Sequence, residues 1–273
     1  MKEKVKHITK VLSQTHGIDV SIYDETFLLN SIKKRYSENQ FEKEKEYVAL
    51  LQNDKIETAI LINSLQNNYS IFFRNSLTFS VLEKIIFPSI IQNIKTNKKK
   101  EIRIWSAACA GGHEAYSISI LLNELNNDDK EKFNYRIFAT DKIDKNIAIS
   151  QSGKYEMCDL KNVSLNRLEN WFTKKSDSYF VKPTLKKNIE FSEFDLLDKE
   201  SQSPSASIFG DFDVIICANL LFYYKEEYRK IILHKLKKSL SNNGIIITGE
   251  AEREILIQHH FKEVFPQSAI FRV

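Results

Sequence analysis

Residues Ile102-Arg-Ile-Trp-Ser-Ala-Ala-Cys-Ala-Gly-Gly-His-Glu-Ala-Tyr-Ser-Ile-Ser-Ile-Leu-Leu122 decide the fold. They read as a short buried strand, a turn of small residues and an amphipathic helix. Gly111 and Gly112 carry no Cβ atom where the strand ends, so a ligand can approach the backbone closely. The turn lacks the G-x-G-x-x-G pattern of dinucleotide folds and the G-K-[ST] of P-loops. It therefore predicts either a ligand-binding first βα turn or a plain structural turn.

The chain after residue 102 alternates between strands and helices, which predicts a parallel-rich sheet covered by helices. The strand candidates are Ile102–Ala107, Tyr135–Thr140, Phe212–Cys217, Gly244–Thr248 and Ala269–Val273, and the helices between them are Glu114–Leu125, Lys145–Ser150 and Glu226–Leu240. Ligands of such sheets lie outside the carboxyl ends of the strands. The residues that follow these strands are therefore the candidate site, namely Ala110–Glu114, Asp141 and Asn219–Tyr224.

The regions before and within this alternation have other patterns. Residues 1–75 show apolar side chains at helical spacing and predict a helical N-terminal domain. Residues 76–101 are expected to form a connecting helix, with a bend near Pro88, and a polar linker. Residues 102–273 form the third region, and two short strand-like segments around Pro183 predict an antiparallel insertion over 176–194.

Composition excludes several classes of protein. A net charge of +4 does not fit a generic polyanion binder. The longest apolar runs, such as Val214–Cys217, are strand-sized and too short to cross a bilayer, and the charged N-terminus shows no secretion signal. Three widely spaced cysteines indicate reduced thiols in a cytoplasm, without the spacing of zinc ligands, so no metal is expected.

Several polar residues have both a structural and a functional interpretation. Asp141 ends a predicted strand, where an acid can accept hydrogen bonds from ribose hydroxyls or cap a helix. Glu114 begins a helix, where it either offsets the helix dipole or anchors a cationic or hydroxylated ligand group. Arg74 is a structural ion-pair partner or a planar donor to a substrate carboxylate. His113 as an acid–base group and Cys217 as a nucleophile are weaker hypotheses.

Six motifs in register resemble the CheR family of chemotaxis-receptor methyltransferases. They are Gly17-Ile-Asp with Lys34-Arg35, Asn68-Tyr-Ser-Ile-Phe-Phe-Arg74, Trp105-Ser-Ala-Ala-Cys-Ala-Gly-Gly-His-Glu-Ala-Tyr-Ser117, Phe138-Ala-Thr-Asp141, Phe212-Asp-Val-Ile-Ile-Cys-Ala-Asn219 with Tyr223, and Gly244-Ile-Ile-Ile-Thr-Gly249. The resemblance implies a Rossmann-like α/β domain that depends on S-adenosylmethionine, with a small antiparallel β-subdomain and an all-helical N-terminal domain. It also implies a receptor glutamate as methyl acceptor, with a glutamyl methyl ester and S-adenosylhomocysteine as products.

The resemblance also implies the site residues, by position. Arg74 and Tyr223 would lie nearest the transferred methyl group as catalytic residues. The cofactor-binding residues would be Asn68, Ser70, Arg74, Gly111, Glu114, Asp141, Asp195, Leu196, Ala218 and Asn219. The implied partner is the cytoplasmic signalling domain of a chemoreceptor-like protein, and the chain is expected to be a cytoplasmic monomer that is not inserted in a membrane.

Departures from the family pattern support a second hypothesis. Ala218 replaces an arginine, His113 replaces a glutamate, and Glu250-Ala-Glu252 replaces His-Ser-Glu. A protein that binds the cofactor and serves as a regulator or scaffold, with little or no turnover, is therefore the alternative to an active enzyme. A nucleic-acid methyltransferase fits less well, because Asn219-Leu-Leu-Phe lacks the prolines of amino-group methylases and the charge is near neutral.

Overall fold

The computed structural model describes residues 2–39, 44–65, 69–97, 99–207 and 210–273, without the side chains of 2–5 and 44. The helices are α1 Lys2–His16, α2 Glu25–Glu38, α3 Glu44–Asn53, α4 Lys55–Leu65, α5 Ser76–Val81, α6 Phe87–Asn97, α7 His113–Asp128, α8 Asp144–Ser152, α9 Leu165–Trp171, α10 Pro183–Lys186, α11 Glu226–Ser239 and α12 Arg253–Gln258. The strands are β1 Ile102–Ala107, β2 Tyr135–Asp141, β3 Lys154–Glu156, β4 Phe172–Lys175, β5 Ser178–Val181, β6 Ile189–Glu193, β7 Phe212–Ile216, β8 Leu240–Ile247, β9 Lys262–Glu263 and β10 Ile270–Arg272.

The chain divides into two compact units. One comprises residues 1–67 together with Phe222–Arg229, and the other comprises 68–221 and 230–273. The predicted boundary at residue 75 therefore differs from the observed division. The sequence pattern also gave no sign that a segment following β7 groups with the N-terminal helices.

The first unit is the predicted helical region, α1 to α4. α1 ends at Gly17, whose φ of 69° is readily adopted only by residues that tolerate the left-handed region. A buried ion pair joins α2 to α4, since the Arg35 guanidinium donates to both carboxylate oxygens of Glu57 at 3.0 and 2.5 Å. The Tyr47 hydroxyl donates to the same carboxylate at 2.9 Å. Glu57 is only 4 % exposed, so these donors offset the cost of burying its charge.

The second unit is built on a seven-stranded sheet in the order β6-β2-β1-β7-β8-β10-β9. The pairs from β6 to β8 are parallel, and β10 is antiparallel to both β8 and β9. The sheet confirms the predicted α/β class and the five predicted strands. Its apolar residues, among them Ile104, Ile137 and Val214, lie in one core cluster with α7.

The strand order reverses between β1 and β7. From β1 the chain builds outward through β2 to β6, and it then returns to add β7 on the other side of β1. Neighbouring helices must diverge at such a point, so a crevice opens outside the carboxyl ends of the two strands. A ligand site is therefore expected at the turns that follow β1 and β7.

The predicted antiparallel insertion over 176–194 differs from the observed one in its bounds and in its strands. The antiparallel sheet is β3-β5-β4, which spans residues 154–181. β6 instead pairs in parallel with β2 as an edge strand of the main sheet. Two short strands around a proline look like a hairpin in sequence, whereas the three-residue β3 is too short to show any period-2 pattern.

The connecting helix runs continuously from Ser76 to Asn97, because a π-helical segment, Leu82–Ile86, joins α5 to α6. Pro88 follows this segment. Proline has no backbone N–H to donate, and the wider π-helical turn before it accommodates the missing hydrogen bond. By length and mean composition these 22 residues could cross a membrane, although Glu83 and Lys84 interrupt their apolar run. Leu82, Phe87 and Ile91 are buried in the core cluster, and a core helix of this kind passes the same test.

Candidate active site

The turn after β1 has an unusual backbone. Ala108, Ala110 and Gly112 have φ values of 61°, 47° and 82°, in the left-handed region that non-glycine residues rarely adopt. Two neighbours impose this shape: the Tyr155 hydroxyl donates to the Gly111 carbonyl at 2.7 Å, and the Ser150 hydroxyl donates to the Ala110 carbonyl at 3.0 Å. Strain of this kind persists only where the surroundings dictate it, which is typical of a binding site.

Asp141, at the end of β2, holds the same turn from the neighbouring strand. Its Oδ2 accepts the Ala110 N–H at 2.9 Å, and its Oδ1 accepts from the Ile143 N–H at 2.9 Å and from Asn146 Nδ2 at 3.1 Å. A carboxylate offers about four acceptor positions, so one position remains for a hydroxyl donor. Asp141 is 6 % exposed, which gives that position a narrow opening to solvent.

Glu114 lies in the first turn of α7, directly after this loop. Its Oε1 accepts the Ser106 hydroxyl at 2.7 Å. Burial raises the pKa of Glu114 to about 7; the Ser106 hydrogen bond and the charge of Arg74 oppose this rise, and the charge of Glu252 adds to it. A carboxyl poised near neutrality loses its proton easily when a cation binds beside it.

Arg74 is brought to this region by a tightly held turn. Phe73 has a φ of 50°, its N–H donates to Ser117 Oγ at 3.1 Å, and its carbonyl accepts from Asn162 Nδ2 at 3.2 Å. The Arg74 guanidinium is exposed, donates to the Tyr69 carbonyl at 3.0 Å and stacks over the Tyr69 ring at 5.4 Å. Its planar donor fork is therefore available to a carboxylate.

The turn after β7 carries Ala218 and Asn219. Asn219 has a φ of 60°, and its backbone N–H donates to Glu252 Oε2 at 2.7 Å. Its side-chain amide has no hydrogen-bond partner within the described part of the chain, so it can serve a ligand. The Ala218 methyl packs against the apolar core cluster, so this position contributes no charge to the site.

Asp195 and Leu196 follow β6, on the far side of β2. The Phe194 N–H donates to the Asp141 carbonyl at 3.0 Å, which ties the start of this segment to the strand end that carries Asp141. Asp195 is exposed and accepts the Leu197 N–H at 2.8 Å, whereas Leu196 is buried. Both residues thus belong to the carboxyl edge of the sheet.

Three predicted residues remain, namely Ser70, Asn68 and Tyr223. Ser70 is half-buried just before the turn that carries Arg74, and Asn68 lies outside the described residues. Tyr223 belongs to the N-terminal unit, where its ring lies 4.6 Å from that of Phe27 and its carbonyl accepts the Asp24 N–H at 2.8 Å. The described part of the second unit thus holds nine of the predicted positions, namely Ser70, Arg74, Gly111, Glu114, Asp141, Asp195, Leu196, Ala218 and Asn219.

His113 and Cys217 do not have the environment of catalytic groups. The His113 ring is 7 % exposed and lies among Phe72 and Tyr155, at centroid distances of 5.2 and 4.6 Å. Burial lowers the pKa of His113 to about 4, so the ring is neutral at physiological pH. Burial raises the pKa of the Cys217 thiol well above its usual value, which keeps the thiol protonated.

The site thus lies at the switch point of an α/β sheet. It consists of the small-residue turn after β1, Asp141 at the end of β2, and Arg74. Residues 68–270 match the family described as CheR methyltransferase, SAM binding domain. The chain belongs to this family. S-adenosylmethionine is accordingly its cofactor.

Two curated relatives extend the match. The chain is 30% identical over 208 residues to "Chemotaxis protein methyltransferase Cher2" of Pseudomonas putida, which covers 75% of this chain and 72% of that protein. It is 26% identical over 260 residues to "Chemotaxis protein methyltransferase" of Borreliella burgdorferi, with coverage of 92% and 88%. A solved structure of PH0226 from Pyrococcus horikoshii is 16% identical, with a TM-score of 0.33 over 71% of this chain and 73% of that one.

The donor set of the CheR site fits S-adenosylmethionine. The spare acceptor position of Asp141 suits a ribose hydroxyl, and Glu114 suits a cationic group. The free amide of Asn219 offers both a donor and an acceptor, as an adenine edge requires. Each of these groups follows a different element, and the fold assembles them at one edge of the sheet.

Sequence reasoning missed the residues that hold the site in shape. Tyr155 and Ser150 fix the turn after β1, Ser117 fixes the turn before Arg74, and Glu252 fixes the turn after β7. The serines and Tyr155 gave no signal, because their partners are distant in sequence. Glu252 did give one, since it retains the glutamate of the family's His-Ser-Glu pattern.

Proposed function

We propose that this protein transfers the methyl group of S-adenosylmethionine to glutamate side chains in the signalling domain of a chemoreceptor-like protein. The observation that supports the proposal is that the exposed Arg74 follows a turn held by Ser117 of α7, the helix that begins directly after the turn that Asp141 holds. An exposed arginine at a cofactor site is suited to hold an acceptor carboxylate.

The chemistry asks for alignment more than for a base. When bound, S-adenosylmethionine supplies a methyl group on a cationic sulfur, and a glutamate carboxylate takes it directly to give the methyl ester and S-adenosylhomocysteine. Glutamate is ionised at neutral pH, so no residue has to remove a proton. Arg74 would orient the acceptor carboxylate with two parallel hydrogen bonds. Such alignment contributes on the order of 7–11 kcal/mol to a well-placed reaction.

The test is methylation of a purified receptor signalling domain with radiolabelled S-adenosylmethionine. We expect Arg74→Ala to lower kcat/KM by at least ~100-fold, and Arg74→Lys to recover only part of it, because a lysine cannot hold a carboxylate with two parallel bonds. Arg136→Ala is the matched control, since Arg136 is an exposed arginine on β2 whose contacts are to Glu101 and Phe138. Full activity of Arg74→Ala would refute the assigned role.

The environment of Ala218 favours a second candidate, a cofactor-binding regulator without turnover. Where the family pattern has an arginine, this chain places a methyl group against the apolar core. Tight binding of S-adenosylmethionine, with no methyl transfer to any receptor domain of the same organism, would support this function. Measurable turnover would exclude it.

The proposed acceptor also determines where the protein works. Signalling domains of chemoreceptors face the cytoplasm, so we propose a cytoplasmic enzyme that acts as a monomer. Buried cysteines without a disulfide, Cys109 and Cys217, are in keeping with that compartment. Size-exclusion chromatography with light scattering would test the oligomeric state.

A further inference from the structure

Glu252 is a buried carboxylate that the proposed reaction does not use. It is fully buried and lies in a short 3₁₀ turn, Glu250–Glu252, after β8. Four donors converge on it: the backbone N–H groups of Asn219, Leu221 and Gly249 at 2.7, 2.6 and 2.9 Å, and the Thr248 hydroxyl at 2.8 Å. Three of these donors reach Oε2 and one reaches Oε1, and the residue has no exposed surface, so a ligand cannot reach the carboxylate.

Two of these four donors belong to the turn after β7, which lies 33 and 31 residues away in the chain. Asn219 has left-handed backbone geometry, which asparagine adopts more readily than most residues but which still gains from support by its surroundings. Glu252 supplies this support by accepting the N–H groups on both sides of Leu220. A buried N–H without its acceptor would cost about 1–3 kcal/mol, so the turn keeps this shape only while the carboxylate is present.

Gly249 closes the same turn from the opposite direction. A Cβ atom at this position would lie 2.8 Å from Asn219 Oδ1 and 3.0 Å from the Asn219 backbone nitrogen. The absence of a side chain at Gly249 therefore leaves the space that the Asn219 amide occupies. The residues after β8 thus shape the neighbouring turn in two ways: Glu252 accepts its N–H groups, and Gly249 leaves room for the Asn219 amide.

We infer that Glu252 is a positioning residue for cofactor binding, which orients the Asn219 amide toward S-adenosylmethionine without touching the cofactor itself. The inference rests on the proposed site and assigns a role to a residue outside it. It also assigns Gly249 a specific function, because a larger residue would push the Asn219 amide out of position.

Glu252 has a second effect on the site, through its charge. Burial raises the pKa of Glu252 and its four donors oppose that rise, while the negative charge of the ionised carboxylate adds to the rise in the pKa of Glu114. The other groups that act on Glu114 are the Ser106 hydroxyl and Arg74, while the thiols of Cys109 and Cys217 sense its charge and remain protonated. Removing the charge of Glu252 should therefore let Glu114 ionise at lower pH.

The experiment is isothermal titration of the full chain with S-adenosylmethionine between pH 5.5 and 8.5. In Glu252→Gln the side-chain amide presents an N–H to at least one backbone N–H, so we expect affinity to fall at least about tenfold at pH 8. We also expect the pH of half-maximal affinity to move downward, which loss of structure alone would not cause. Gly249→Ala should weaken binding by a similar factor, without moving that pH.

Glu57→Gln is the matched control, because Glu57 is also a buried carboxylate, lies in the N-terminal unit and accepts several donors. It should lower thermal stability and leave affinity within about twofold of wild type. If Glu252→Gln does not fold, Gly249→Ala decides alone. Unchanged affinity in Gly249→Ala, or an equal loss in Glu57→Gln, would overturn the inference. Cofactor binding by wild type without receptor methylation would refute the proposed function only.

Discussion

The turns after β1 and β7 have similar backbone geometry, and each is held by a carboxylate, but the two carboxylates differ in their exposure. Both place a non-glycine residue at positive φ, and each is held by a carboxylate from the end of the adjacent strand on its outer side. Asp141 holds the β1 turn through the Ala110 N–H, and Glu252 holds the β7 turn through the Asn219 N–H. The two arrangements lie on opposite sides of the switch point.

The difference lies in what each carboxylate has left to offer. Asp141 accepts three donors and is slightly exposed, so it can bind a ligand while it supports its turn. Glu252 accepts four donors and has no exposed surface, so no ligand can reach it and it can only support its turn. A strand-end acid is thus informative about ligands only when its acceptor positions and its exposure are both known.

The largest expected effect comes from removing the carboxylate that has both roles. Asp141→Ala should weaken S-adenosylmethionine binding by at least ~100-fold, because it removes a ligand contact and releases the Ala110 N–H. Isothermal titration measures this loss. Asn146→Ala is the control: it removes one donor to the same carboxylate and should cost less than ~10-fold. An Asp141→Ala protein that binds normally would place the cofactor elsewhere.

A glycine substitution tests how rigid the β1 turn is. Gly112→Ala adds a Cβ atom 2.9 Å from Ser150 Cβ at a φ of 82°, so we expect a loss of about 2–3 kcal/mol in the free energy of unfolding. Urea denaturation measures it. Gly17→Ala is the control, since its φ is 69° and nothing lies within 4 Å, which leaves the backbone cost of about 1 kcal/mol. Equal losses would show that the Ser150 contact is soft.

A smaller effect should appear in the pH dependence of the cofactor-free protein. The folded-state pKa of Glu114 is raised to about 7 from an ordinary value of 4.5, so its contribution to stability is full below about pH 4.5 and is lost as pH rises through 7. We expect a decrease on the order of 1–2 kcal/mol between pH 5 and 8, reduced by the partial solvent contact of the carboxyl.

Urea denaturation of wild type and Glu114→Gln at both pH values checks this. The variant should lose less stability than wild type between pH 5 and 8, because glutamine does not titrate. The turn after β7 also affects this pH dependence, since the charge of Glu252 raises the pKa of Glu114 and the charge of Arg74 lowers it. The same slope in both proteins would mean that Glu114 is already ionised at pH 5.

The sequence by itself determined the parts that depend on local pattern. Alternating apolar strands and helices predicted the α/β sheet, and Asp141, Glu114 and Asn219 were placed at the carboxyl edge by their position after a strand. These predictions succeeded because strands and helices produce patterns of apolar residues over a few consecutive positions. The six motifs were enough to identify the CheR family, to which the chain belongs.

Only the tertiary structure decided which distant groups meet. It assigned β6 to the main sheet, placed Tyr223 with the N-terminal unit, and buried His113 among aromatic rings. It also brought Glu252 to a turn more than 30 residues earlier in the chain. The physical reason is that a hydrogen-bond acceptor pairs with the donor that the packing of the core places beside it. The residues next to the acceptor in the sequence do not indicate which donor that will be.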